Sequence, residues 1–325
     1  MKEVFKIALM HVTSGMHLGY GTGEEYDRSS TILYSDTLSA ALCSVHAKSG
    51  GEVPSFLDSF RVSSAMPVYK GRFFLPLPPD KQCIHMQESA SAHKQLKRLS
   101  WIELPLWEKL SLNGELTITR QMISDCGTAI VQDSGKGVVI MRSFVEQKVT
   151  VSHTSEDAMP YFFDKVYFGP DVSLYVMYQC DNDVTFCKSF ELLADAGIGT
   201  SRSVGNGGFE VEFGQVEVEV HPEVDSRQLL SMWIPRQEEC TPEIMSRSCY
   251  KMLIRGGYMA GAQNPSHRHL LKNNVYMIES GSIIVAPKLQ GKIVDLKPEH
   301  VASHSVWRDG RAFYLPFKMI DTDEV

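Results

Sequence analysis

The chain has 325 residues, 43% hydrophobic and 22% charged, a balance ordinary for a globular protein of two packed domains or one large one. No stretch approaches the roughly 18 consecutive apolar residues that a membrane-spanning helix needs. Thirty-two basic against 39 acidic residues give a net charge of −7, which excludes a broad basic footprint and leaves any nucleic-acid contact to a few loops.

The opening segment MKEVFKIALMHV alternates at period two and predicts a strand over about 2–12. It carries Glu3 and no small-residue cleavage site, so it does not read as a secretory signal, and the expected location is the cytoplasm. A polar, glycine-rich connection runs from His17 to Ser35. Ser35 or Asp36 then caps a helix in which Leu38, Ala41, Leu42 and Val45 recur at i, i+3, i+4 and i+7, and Gly50-Gly51 ends it. FRVSSAMPVYKGRFFLPLPPD reads as two extended pieces about a Lys70-Gly71 turn, closed by prolines. Residues 88–99, ESASAHKQLKRL, predict a helix with Lys94, Lys97 and Arg98 on one face and Leu96 and Leu99 on another. Residues 101–150 hold strand-like runs, ELTITR and KGVVIMRS, between Asn-Gly and Ser-Gly breaks, and read as an irregular insertion.

A second pattern begins near residue 160. KVYFGPDVSLYVMYQC gives two strands with a Gly-Pro break, and Asn182 or Asp183 caps a helix through Phe186, Phe190, Leu193 and Ala194. FEVEFGQVEVEV follows, alternating as a half-exposed hairpin with Glu210, Glu212, Glu217 and Glu219 on its wet face. SMWIP, CYKMLIRGG and NNVYMIESGSIIVAP supply further strands. This order predicts an α+β protein of two ferredoxin-like sandwiches.

Between the second helix and that hairpin lies GIGTSRSVGNGG, with glycines at 197, 199, 205, 207 and 208. Glycines let a backbone approach a ligand closely, and Thr200, Ser201, Arg202, Ser203 and Asn206 add polar groups, a chemistry suited to a phosphodiester backbone. The dinucleotide fingerprint fails, because Arg202 stands at its third glycine position and the loop follows a helix; a P-loop fails for want of Gly-Lys-Ser/Thr. The competing reading is a bare helix-to-strand connection, which five glycines beside four hydroxyl or guanidinium donors disfavour.

Other candidates are weaker. His17, near a helix start that can bind anions, competes with an ordinary structural histidine. Lys94, Lys97 and Arg98, with Trp101 and Trp107 nearby, suit RNA phosphates and a stacked base as well as they suit a solvated helix face followed by core aromatics. The same balance holds for Arg255-Gly256-Gly257-Tyr258 and for Gly281-Ser282. His267 with His269, and His300 with His304, lack any accompanying metal-ligand pattern and read as surface histidines. Seven scattered cysteines form no CxxC pair and read as buried thiols, so neither metal nor cofactor is expected. No nucleophile-base order or paired acidic cluster demands an enzyme.

Taken together, the helix followed by GIGTSRSVGNGGFE resembles the signature of the RAMP superfamily of CRISPR proteins. SDTLSAAL, SSAMPVYKGRFFLPLP, HKQLKRLSWIELPLW with its downstream NGEL, IRGGY and VYMIESGSIIV, in this order, resemble the fourth-subunit family of the type III-A (Csm) effector complexes. The resemblance runs to about residue 287. It implies two RRM-like folds, 1–145 with the insertion and 146–325 with the glycine-rich loop. It further implies a non-catalytic subunit that binds the 5′ tag of the crRNA and docks both the large polymerase-like subunit and the backbone RAMP subunits, with no membrane contact. Carried over by motif, RNA contact falls on Gly199, Thr200, Ser201, Arg202, Ser203, Val204, Gly205 and Asn206, on His17, and on Ser35 and Ser64. It extends to Lys94, Lys97, Arg98 and Arg255. The chain departs from the family where an N-x-I-x-R segment is common and QKVTVSHTSED stands instead, with Lys148 the candidate replacement. The alternative in the same superfamily is a repeat-cleaving endoribonuclease with His17 as general base; a third is a scaffold that contacts only proteins.

Overall fold

The computed structural model describes residues 1–19, 26–87, 92–151, 158–259, 270–299 and 305–319. The chain begins with β1 (Lys2–Val12), α1 (Ser35–Lys48), α2 (Val53–Asp58), β2 (Phe60–Val62) and β3 (Met66–Tyr69). An insertion then holds β4 (Arg72–Pro76), β5 (Ile84–Met86), α3 (Ala92–Leu96), β6 (Trp101–Glu103), α4 (Leu104–Asn113), β7 (Leu116–Ile118), β8 (Ala129–Ile130), β9 (Met141–Val151) and β10 (Ala158–Phe168). The main path resumes with β11 (Val172–Cys180), α5 (Asp183–Ala196) and β12 (Phe209–Glu219).

Strand order in the principal sheet is β12-β1-β11-β3, continued by β4, β6 and β8, with β2 also paired to β11. The first four are antiparallel neighbours, and α1 and α5 return the chain between them, so the path is the β-α-β-β-α-β of a ferredoxin-like fold. The expected α+β class holds. β1 is central and buried on both faces: Ala8 and Met10 pack with the α1 and α5 residues Leu38, Leu42, Phe186 and Phe190, while Phe5 and Ile7 face a second core built with the insertion. Phe186, Phe190 and Leu193 lie on one side of α5 at i, i+4 and i+7, and burying each contributes roughly 1.5–3 kcal/mol. Asn182 caps α5 by accepting from the Thr185 amide at 3.1 Å, as expected. Lys70 and Gly71, at φ 49° and 77°, form the tight turn between β3 and β4.

Four expectations change. FEVEFGQVEVE is one uninterrupted edge strand, paired with β1 from Val12↔Phe209 to Lys2↔Glu219, not a hairpin. Its acidic residues alternate onto both faces, because Phe209 pairs into the helix-side core and Val216 and Val218 into the other. Second, Leu104–Asn113 is a helix, started by Pro105 in its first turn and stopped by Gly114 at φ 82°; the Asn-Gly signal was a helix end rather than a strand break. Third, within the described part of 88–99 only Ala92–Leu96 is helical. Finally, neither Ser35 nor Asp36 caps α1: both lie inside the helix, which follows Tyr34 and has no side-chain cap bond, because Ser35 Oγ accepts from the Met232 amide and Asp36 is taken up by Arg255 and Arg308.

Residues 220–319 add β13 (Arg227–Leu229), α6 (Pro242–Ser246), β14 (Met252–Arg255), β15 (Val275–Ile278), β16 (Ile283–Ile284), β17 (Gly291–Asp295), β18 (Trp307–Arg311) and β19 (Tyr314–Pro316). They form the small sheets β16-β13-β19, β14-β15 and β17-β18 rather than a further helix-backed sheet among the described residues. They are joined firmly to the first fold. Gln228, fully buried, accepts from Trp107 Nε1 at 2.6 Å and donates to the Pro76 carbonyl at 2.9 Å. No helix among the described residues is long and apolar enough to cross a membrane.

Candidate nucleic-acid interface

Gly197, at φ 70°, turns the chain out of α5. The loop base is then stitched to the segment following β1. Ile198 N donates to the Gly207 carbonyl (2.9 Å), Gly207 N to Gly15 (3.0 Å), Thr13 N to Gly208 (3.0 Å) and Thr200 N to His17 (3.1 Å). Close approach explains two of the glycines. A Cβ on Gly207 would overlap the Ile198 carbonyl oxygen, and one on Gly199 would lie 2.5 Å from the His17 carbonyl oxygen. Above this base, Ser201 sits in the left-handed region, a 3-10 turn spans Arg202–Val204, and Gly205 reverses the chain at φ 83° in open space. Thr200, Arg202, Ser203, Val204 and Gly205 form an exposed crest, whereas Asn206 turns inward and donates to the Ser201 carbonyl at 3.3 Å.

The other expected contacts are distributed differently. His17 is buried: its Nδ1 donates to the Asp164 carbonyl at 2.6 Å and its ring stacks on Phe163 at 4.6 Å. Its backbone, not its imidazole, meets the loop. Ser35 and Ser64 are buried too; Ser64 Oγ accepts from the Ser35 amide and Ser35 Oγ from the Met232 amide, so both hydroxyls pin α1 to its neighbours. Trp101 and Trp107 are core residues, buried within the insertion's core. Lys94, Lys97 and Arg98 are exposed, with Leu96 and Leu99 beneath them, on the insertion. Lys148 lies over the Phe163 ring at 4.4 Å and 3.9 Å from Glu146. The paired histidines 267/269 and 300/304 lie outside the described residues, and no group of metal-ligating side chains occurs among the described ones.

Beside the crest a cavity of about 250 Å³ opens between the loop and α1. Ala40, Ala41 and Ser44 form its floor, Gly199 and Thr200 one wall, and Arg202, Arg255 and Lys272 bring positive charge to it. Arg255 is held by Asp36: its Nε and Nη2 donate to the carboxylate at 2.9 and 3.2 Å, and Nη2 also reaches Thr37 Oγ1 at 2.8 Å. Arg308 donates to the same carboxylate. Burial alone would push the Asp36 carboxyl up; the two guanidinium groups outweigh it and hold the carboxyl below the ordinary aspartate range. Lys272 is pushed down to about 8 by burial, with Arg308 and Arg255 adding repulsion. One carboxylate among three cations leaves this wall positive in a protein that is acidic overall, and that is how a few contacts can hold an anionic strand. Spacing gave no sign of Asp36, Arg308 and Lys272 converging, because they come from three distant segments.

Residues 223–317 match the family model for the CRISPR Csm4 C-terminal domain. That match takes in β13 to β19, with Arg255, Lys272 and Arg308. Over its whole length the chain resembles Csm4 proteins, as the RAMP-like motifs implied. It is 20% identical to Csm4 of Methanocaldococcus jannaschii over 94% of this chain and 95% of that one, and 22% identical to Csm4 of Thermococcus onnurineus over 75% and 80%. A chain of the crystal structure of a Csm3-Csm4 subcomplex from a type III-A interference complex superposes with a TM-score of 0.66 at 17% identity, covering 96% of this chain and 99% of that one. A chain of a Csm1-Csm4 cassette solved with cA4 gives 0.64 at 17% identity over 98% and 100%. The fold is thus that of these Csm4 assemblies.

Proposed function

We propose that this chain is the Csm4 subunit of a type III CRISPR effector complex, where it grips the 5′ tag of the crRNA and docks the large polymerase-like subunit and the backbone RAMP subunits in the cytoplasm. The observation that carries the reading is the exposed crest Thr200–Gly205 beside a cavity bearing Arg202, Arg255 and Lys272. Its hydroxyls and guanidinium suit phosphate oxygens, and the cavity suits an unstacked base, as single-stranded RNA recognition requires. Homologues assembled with Csm3 and Csm1 support the partners. The net charge of −7 fits a subunit that meets RNA through a few local contacts and leaves the rest of the strand to its neighbours.

The subunit acts without catalysis. As a general base His17 is poorly placed, since its ring is buried against Phe163 with Nδ1 engaged by a backbone carbonyl. Assembling the complex with parent or Arg202→Ala protein and measuring crRNA retention and tag protection from nuclease tests the reading. Loss of protection with assembly intact is expected. Unchanged protection, or metal-independent cleavage of repeat RNA by the purified chain, overturns it.

A further inference from the structure

The cavity beside the crest does not end at Lys272. A second one, about 220 Å³, lies across the Ala40–Ser44 ridge of α1, between that helix and β18. Ala40, Ser44 and Lys272 line both, so the two are halves of one groove crossing the helix, with Lys272 at the saddle. The groove runs where α1 presents the small side chains Ala40, Ser44 and Ala47, flanked by Val45 in the first half and by Cys43 and Lys48 in the second, while Leu38 and Leu42 point into the core. Trp307, 36% exposed, lines the second half. Each half is below the roughly 300–1,000 Å³ of a pocket that takes a whole drug-sized ligand, so each suits one flat ring system rather than a dinucleotide.

The charge is arranged to match. In the second half the carboxylate of Asp309 is already paired with Arg311 at 2.9 Å, and burial pushes the Cys43 thiol up to about 12, keeping it neutral. Lys48 and Lys272 therefore remain as the charged groups facing the ligand space. A strand leaving the first half must carry a phosphate over the saddle, past Lys272 and near Arg255 and Arg308. Its next base then enters the half lined by an aromatic ring, the combination of cationic track and stacking platform that holds single strands.

From this juxtaposition we infer that the α1 groove seats two consecutive nucleotides of single-stranded RNA, one base beside the glycine-rich crest and the next against Trp307, with Lys272 on the phosphate between them. The inference rests on the tag-binding reading but assigns a second base site, on the Trp307 side of α1, that the reading does not require. Lys272 also makes the grip pH-dependent, because its amine loses its charge as pH rises through about 8. The other charged groups about it are Arg255, Arg308, Lys48, Asp36 and Asp309.

The test uses the full-length chain and a single-stranded RNA of the tag sequence, read by fluorescence anisotropy and by quenching of tryptophan emission, with thermal unfolding as the folding control. Ser44→Phe, which fills the groove, Trp307→Ala and Lys272→Met should each weaken binding about tenfold, the size of one base–aromatic stack or one phosphate contact. Quenching should vanish in Trp307→Phe, and affinity should fall between pH 7 and 9 in the parent but not in Lys272→Arg. If the three variants bind like the parent while Arg202→Ala does not, the groove proposal fails and the tag-binding reading stands. If the parent does not bind, both fail. A Ser44→Phe chain that binds RNA normally but no longer assembles with the large subunit would make the groove a protein site and overturn the inference.

Discussion

Arg255, at the end of β14, donates two hydrogen bonds to Asp36 in the first turn of α1, joining positions 219 residues apart with both side chains buried. This pair fastens the segment 223–317 to the ferredoxin-like fold, and Arg308 completes it from β18. Replacing Asp36 with Ala leaves two buried guanidinium groups without their carboxylate. The expected loss is about 3–5 kcal/mol, the range for breaking a buried ion pair from one side. Urea titration followed by circular dichroism checks it; a loss below about 1 kcal/mol would show that the pair is not what holds the two parts together.

Lys272 makes stability rise with pH. Its folded pKa is lowered to about 8 from 10.5, so between these values the unfolded chain binds more protons, and stability is gained as pH rises through that window. Lys272→Met should therefore stabilise the fold at pH 7 and flatten the profile between about pH 8 and 10.5. Thermal unfolding midpoints across that range, parent against variant, measure it.

The glycines of the loop are not equivalent. Gly205→Ala places a side chain in open space and should cost roughly 1–2 kcal/mol for the left-handed backbone alone. Gly207→Ala adds a clash with the Ile198 carbonyl and should cost clearly more or displace the whole crest. Denaturant midpoints should rank Gly207→Ala well below Gly205→Ala, with crRNA retention in the assembled complex following the same order.

Arg202 is exposed, and its guanidinium makes a 3.4 Å contact with the Gly197 carbonyl. Arg202→Ala should leave stability within about 0.5 kcal/mol of the parent, as for most surface changes, while weakening RNA binding and reducing its salt dependence by about one phosphate. Binding measured across a salt series separates this from a folding defect.

Gln228→Leu should behave in the opposite way. It strands Trp107 Nε1 and the Pro76 carbonyl in the core, a cost of about 1–3 kcal/mol, without touching the Thr200–Gly205 crest. Calorimetry of the variant, with normal tag binding at low temperature, is the expected combination.

The sequence alone determined the local pieces. The Asn182 cap of α5 and the apolar spacing of α1 and α5 follow from residues within one or two turns, as does the Lys70-Gly71 reversal; the cap expected at Ser35 or Asp36 does not form, because both lie inside α1. The glycine-rich loop reads in the sequence as a candidate ligand-facing element because its glycines and hydroxyls are contiguous, and the flanking motifs resemble those of Csm4-like proteins. Only the tertiary structure decided what those pieces do together. Whether an alternating segment such as Phe209–Glu219 is one strand or two depends on which strand it meets, and β1 offers eleven partners in register. Burial decides which donors remain available: His17, Ser35 and Ser64 look like loop donors in the sequence, yet each already has a partner in the core. The basic wall over α1 could not be read from spacing, since Asp36, Arg255, Lys272 and Arg308 are far apart along the chain and acquire their charge balance only when folding removes water from between them.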